Sequence, residues 1–182
     1  MTKPAALALI ALAATTLAAK AQEAGAGFAI KPPAPFVAER ADNRNFDVGY
    51  GINPTTGQPP IAGTGKYLCQ AGFKAAPQNA GLKQAEINAQ TETPERARTI
   101  RDIFGMLFEI DALRVAAIGD VKGFEIEARP KMGPGAADAR IFGAIHETPK
   151  GRVTLMCSTT KEAWVNALPA FRALRASITP PK

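Results

Sequence analysis

The sequence predicts an α+β domain in which an antiparallel β-sheet is flanked by helices. Three observations predict it. Arg140 to Thr160 alternates as a hairpin around Thr148-Pro149-Lys150-Gly151, where proline fits the second turn position and glycine the return. An apolar run from Leu113 to Ile118 turns through Gly119–Gly123 into Phe124, Ile126 and Ala128, which alternate with Glu125, Glu127 and Arg129. Helical periodicity stands on either side of these strands, after Thr93 and after Thr159.

The chain opens on an export pattern. Met1-Thr2-Lys3 carries positive charge, Ala5 to Ala14 is an unbroken apolar run, and Ala19-Lys20-Ala21 places small residues at the defining positions of a cleavage site. Cleavage is expected between Ala21 and Gln22. The uncharged stretch from Pro4 to Ala19 is shorter than the roughly 20 residues a bilayer span needs, and no cysteine follows it to carry a lipid anchor, so no stable membrane anchor is expected. The expected organisation is a signal peptide at 1–21, an extended Pro/Gly-rich segment at 22–65, and a single α+β domain at 66–182, located in the periplasm or secreted. The formal charge of +6 falls to +4 when Lys3 and Lys20 leave with the signal. That mild excess favours acidic partners or an anionic envelope surface. No basic tract with interleaved aromatics is present, so nucleic acid is not an expected partner.

Two cysteines in an oxidising compartment read as one disulfide, Cys69 to Cys157. Tyr67, Cys69, Ala71 and Phe73 share one face of a strand, and Cys157 shares a face with Val153 and Leu155. Free buried thiols and a redox pair are the rival readings; the second lacks Cys-x-x-Cys spacing.

In the approach to that strand, Phe28, Ile30, Phe36 and Val37 offer an extended clip onto the body. Phe46, Val48 and Tyr50 alternate as a short strand, and Asn53 to Gly65 reads as a loop. Gly63-Thr64-Gly65-Lys66 is no phosphate loop: Pro60 stands where its first glycine belongs, and Tyr67 where Ser or Thr must follow the lysine.

Thr93 caps a helix that opens on Pro94 and Glu95. Ile100, Ile103, Phe104 and Leu107 give it a sheet-facing stripe, with Arg96, Arg98, Arg101 and Asp102 on its wet side. An arginine cluster of this kind can hold carboxylates or phosphates, and equally makes a solvated face. Glu125 and Glu127 share a strand face; they could do acid–base chemistry, or form a solvated outer surface. Pro130 to Ala139 is a flexible connection.

His146 is the only histidine and so the default candidate for acid–base catalysis. With Pro149-Lys150 as the turn, His146 faces Val153 and Cys157 faces Phe142. That leaves them on the order of 13 Å apart, against the ~3 Å of a Cys–His dyad. Neither a Gly-x-Ser-x-Gly elbow nor a His-Glu-x-x-His helix occurs. Thr159 and Glu162 offer a capping box for a last helix with a Trp164, Ala167, Leu168, Phe171, Leu174 stripe, which Pro169 is expected to kink or divide.

The order strand, helix, strand–strand, strand–strand, helix resembles the PsbP/DcrB-like exported domains. The resemblance rests on the helix Thr93–Glu109, Arg114–Ile118 running into Gly123–Ala128, the hairpin 140–158, and the closing stretch Phe171–Ser177, and covers about residues 66–178. It implies a PsbP-like α/β/α sandwich and a non-enzymatic accessory or binding role, and brings no catalytic, cofactor-binding or metal-binding residue onto this chain. The expected function is a non-catalytic periplasmic accessory protein whose partner is a protein or envelope component, met through the sheet edge and the 53–65 loop. The alternatives are a small hydrolase or other enzyme using His146 or the Glu125/Glu127 pair, and a secreted interaction factor.

Overall fold

A computed structural model describes residues 27–182. The signal peptide and its Ala21/Gln22 cleavage site lie outside the described residues. Nine strands and three helices follow in order: β1 (Ala29–Ile30), β2 (Phe36–Arg40), β3 (Val48–Pro54), β4 (Cys69–Ala75), α1 (Gln84–Thr91), α2 (Pro94–Gly105), β5 (Phe108–Ile118), β6 (Val121–Pro130), β7 (Ala139–Thr148), β8 (Gly151–Thr160), α3 (Trp164–Ala176) and β9 (Ile178–Thr179). Seven strands form one antiparallel sheet in the order β2-β3-β4-β8-β7-β6-β5, and β1 pairs with β9. Helices cover both faces, as the sequence pattern implies. No helix among the described residues is long and apolar enough to cross a membrane.

The central hairpin has the register that its turn dictates: Thr148 opposes Gly151, His146 opposes Val153, and Phe142 opposes Cys157. Cys157 in turn opposes Cys69 on β4, and the two are bonded. Both cysteines are buried in the core beneath α3, with Phe142, Leu155, Ala71 and Phe73 on the same sheet face. A second, smaller apolar cluster lies on the opposite face, where Ile100 of α2 packs on Phe124, Ile126, Ala128 and Ile145. The period-2 alternation of β6 and β7 thus feeds two cores at once.

The structure corrects the sequence reading in several places. Of the 22–65 segment, the described residues 27–65 are not separate from the domain: β2 and β3 are full members of the main sheet, and Ile61 bridges to Thr159 within the expected loop. Main-chain hydrogen bonds that the sequence cannot display decide this, because β3 pairs with β4 from Val48 opposite Phe73 to Ile52 opposite Cys69. The strand before Gly119 starts at Phe108 rather than Leu113, and reaches Ile118 through a register shift at Asp111. Tyr67 does not share the Cys69 face; it precedes β4 and folds onto Gly51. Thr159 does not cap the last helix either. It remains in β8, and its hydroxyl donates to the Pro60 carbonyl at 2.6 Å. α3 starts at Trp164 and runs unbroken through Pro169. The carbonyl that Pro169 cannot serve belongs to Val165, which is 76% exposed, so water can take the lost bond.

α1 has no counterpart in the sequence reading. Only Ile87 and Thr91 are buried from it, too few to write a periodic stripe. α2 is as expected at its start, with Thr93 Oγ1 accepting from the Arg96 amide at 3.2 Å.

Candidate functional site

His146 and the two glutamates come together on the face that α3 covers, and none of them presents an open site. His146 is 1% exposed, and neither ring nitrogen has a hydrogen-bond partner among the described residues. The ring fits because its cross-strand neighbour is Gly123: a Cβ there would collide with the Ile145 carbonyl and with the imidazole itself. Burial pushes the imidazole pKa down to about 4; the nearby Arg175 charge adds to the lowering, and the backbone of Ala116 opposes it. The imidazole is therefore held neutral near pH 7 and shielded from solvent.

Glu125 and Glu127 are not a solvated outer face. Glu125 is 2% exposed and receives Arg172 Nε at 2.9 Å and Arg175 Nη1, with Arg114 Nε at 3.2 Å. Glu127 receives Arg172 Nη2 at 3.0 Å and Arg114 Nη2. The spacing explains the network. Arg172 and Arg175, three residues apart, lie on the sheet-facing side of α3, while Arg114 opposes Glu125 across the β5–β6 ladder. The Phe171–Ser177 stretch shows an apolar stripe in sequence. The arginines interleaved in it are what tie the helix to the two carboxylates. Both carboxylates are thus bonded to guanidiniums of β5 and α3.

The arginine cluster of α2 divides. Arg98, Arg101 and Asp102 are exposed, whereas Arg96 turns toward Glu147 on β7 at 3.5 Å.

The open feature of the molecule lies elsewhere. α1 and α2 cover β5, β6 and part of β7, and leave the same face of β4 and β8 uncovered. Gln70 is exposed there and Thr154, Met156 and Ser158 are partly buried. A groove of about 310 Å³ runs over this strip, bounded by Asn43, Phe46 and Tyr67 and floored by Met156 and Ser158. Among the described residues, no charged side chain lines it. Phe46 lies on Gly72, where a Cβ would strike its ring. Tyr67 is fixed by donating its hydroxyl to Glu39 at 2.7 Å, and Asn43 Nδ2 donates to Gln70 Oε1 at 2.7 Å. Such a surface combines apolar contact with uncharged donors and acceptors, the composition of a binding face. Sequence reasoning missed it. The available signal was Gly49-x-Gly51 with Gly72: glycines that share one sheet face and leave room for rings to lie on the strands.

No family model and no curated protein matches the chain. Among the solved structures similar to it are the following three. Cyanobacterial PsbP (CyanoP) from Synechocystis sp. PCC 6803 superposes with a TM-score of 0.50 at 11% identity, over 85% of this chain and 86% of that one. LpqN of Mycobacterium tuberculosis, involved in cell envelope biogenesis, gives 0.48 at 11% identity over 85% and 86%. A Pseudomonas aeruginosa protein of unknown function gives 0.43 at 13% identity over 80% and 98%. The chain therefore has a PsbP-like α+β fold. At these identities the likeness is one of fold and assigns no residue a role.

Proposed function

We propose that this is an exported, non-catalytic accessory protein that binds a protein or envelope component through the uncovered half of its sheet. The observation that carries the reading is the strip of Gln70, Met156 and Ser158, beside which the 61–67 segment forms a wall. The other face of the same strands is buried under α3 and the N-terminal segment, so the asymmetry is a property of one face alone. The non-catalytic half of the reading is supported by burial: His146 and Glu125, the groups best suited to acid–base work, are 1% and 2% exposed. Export is supported by the N-terminal pattern and by the bonded cysteines, which persist in an oxidising compartment.

The test is site-specific photocrosslinking in intact cells, with the crosslinker at Gln70 or Ser158 and, as control, at Val165 on the exposed side of α3. A discrete adduct from the groove positions, absent from Val165 and lost when Met156→Arg places a charge in the groove, is the expected result. Equal labelling from all three positions, or none from the groove, refutes the assignment of this face.

A further inference from the structure

We infer that Arg96 and Arg152 form a binding site for a small oxyanion, a carboxylate or a phosphate monoester, in the pocket at the hairpin end of the sheet. This site is separate from the groove and does not depend on the function proposed for it. The pocket holds about 200 Å³ and is lined by Arg96 from α2, Arg152 from β8, Glu147 from β7, and the amides of Gln78, Asn79 and Gln90.

The charge balance inside it is unequal. Glu147 Oε1 accepts from Arg152 Nε at 2.7 Å and only at 3.5 Å from Arg96 Nη2, while its Oε2 accepts from Asn79 Nδ2 at 3.0 Å. One carboxylate thus serves two guanidiniums. Arg152 donates through Nε alone, so both of its Nη groups lack a partner among the described residues. The Arg96 guanidinium has that single long contact and no other among the described residues. Both guanidiniums, with side chains 38% and 50% exposed, line one polar cavity, and a planar guanidinium can give an oxyanion paired N–H bonds. Asn79 holds Glu147 from the opposite side, donating also to the Thr148 carbonyl at 3.0 Å, and so keeps the carboxylate from following the arginines outward. Arg98 and Arg101 of α2 are exposed and do not line this pocket.

Calorimetric titration of the full chain with succinate and, separately, with inorganic phosphate tests the site and distinguishes the two sources of oxyanion. Saturable one-site binding of at least one of them is expected, weakened about 10- to 100-fold by Arg96→Met or Arg152→Met. Glu147→Gln is expected to act in the opposite direction, tightening binding by freeing both guanidiniums. Arg101→Met should leave binding unchanged. If Arg96→Met lowers the melting temperature, Arg96→Lys replaces it: the charge is kept, the fork is lost, and affinity should still fall. Absence of saturable binding by either anion, indifference to both arginine changes, weaker binding in Glu147→Gln, or equal loss in Arg101→Met would each overturn the assignment.

Discussion

His146 gives the molecule a defined weakness to acid. Its pKa falls from the ordinary 6.5 to about 4 because the ring is sealed under α3, on Gly123, with Arg175 nearby. The sign follows directly. The unfolded chain binds the proton more readily than the folded one, so stability is full above about pH 6.5 and is lost as pH falls toward 4. The difference corresponds to roughly 3 kcal/mol in total, most of which disappears between pH 7 and pH 4.5. For a domain of this size that is a fall of roughly 5–10 °C in Tm. Carboxylates titrate over part of the same range, so the clean quantity is a difference. Urea unfolding of the native protein and of His146→Phe, whose ring can also lie on Gly123, should be followed at both pH values. The native protein should lose about 2 kcal/mol more than the variant on acidification. Because the chain has one histidine, its imidazole proton resonance also reads the titration without ambiguity. A midpoint near 6.5 in the folded protein, or equal acid losses in the two proteins, would refute the sealed-ring argument.

Further predictions concern the staple, the buried ion network and the fit of Phe46. Joining positions 88 apart in sequence, the Cys69–Cys157 bond should contribute up to about 4–5 kcal/mol on the loop-entropy model, read as a lower denaturation midpoint for Cys69→Ala/Cys157→Ala. Both sulfurs are buried, so the native protein should resist dithiothreitol until it is unfolded; two reactive thiols in the denatured, unreduced protein would eliminate the bond. Glu125→Gln should cost about 3–5 kcal/mol, because Arg172 and Arg175 then lose their shared buried carboxylate. A stability change within about 0.5 kcal/mol, as for an exposed ion pair, would show that the network does not hold α3 on the sheet. Gly72→Val should expel Phe46 from its seat, reshaping the groove and destabilising the fold by about 1–3 kcal/mol. An unchanged Phe46 environment by NMR would contradict that packing.

The arginine–glutamate network also shows how α3 chooses its position. Its apolar stripe of Ala167, Phe171 and Leu174 would pack on many parts of the Phe142 face. Three guanidiniums facing two carboxylates at the β5–β6 end permit far fewer arrangements, since any displacement leaves a buried charge unpaired. The stripe supplies the affinity of helix for sheet, and the ions supply the register.

The sequence by itself determined what is local. Alternation around Pro149-Lys150 set the hairpin and its register, and that register kept His146 and Cys157 apart; Thr93 and Pro94 set the start of α2. These follow from side-chain period and turn chemistry, which operate over a few residues. Tertiary structure alone decided the rest. It brought β2 and β3 into the sheet through main-chain pairing that carries no residue code, kept Thr159 in a strand, and buried Glu125 beneath arginines some fifty positions away in sequence. It also left one half of one sheet face uncovered. A charged residue on a half-buried strand looks the same in sequence whether water or a guanidinium meets it; only the packing of a distant helix settles which.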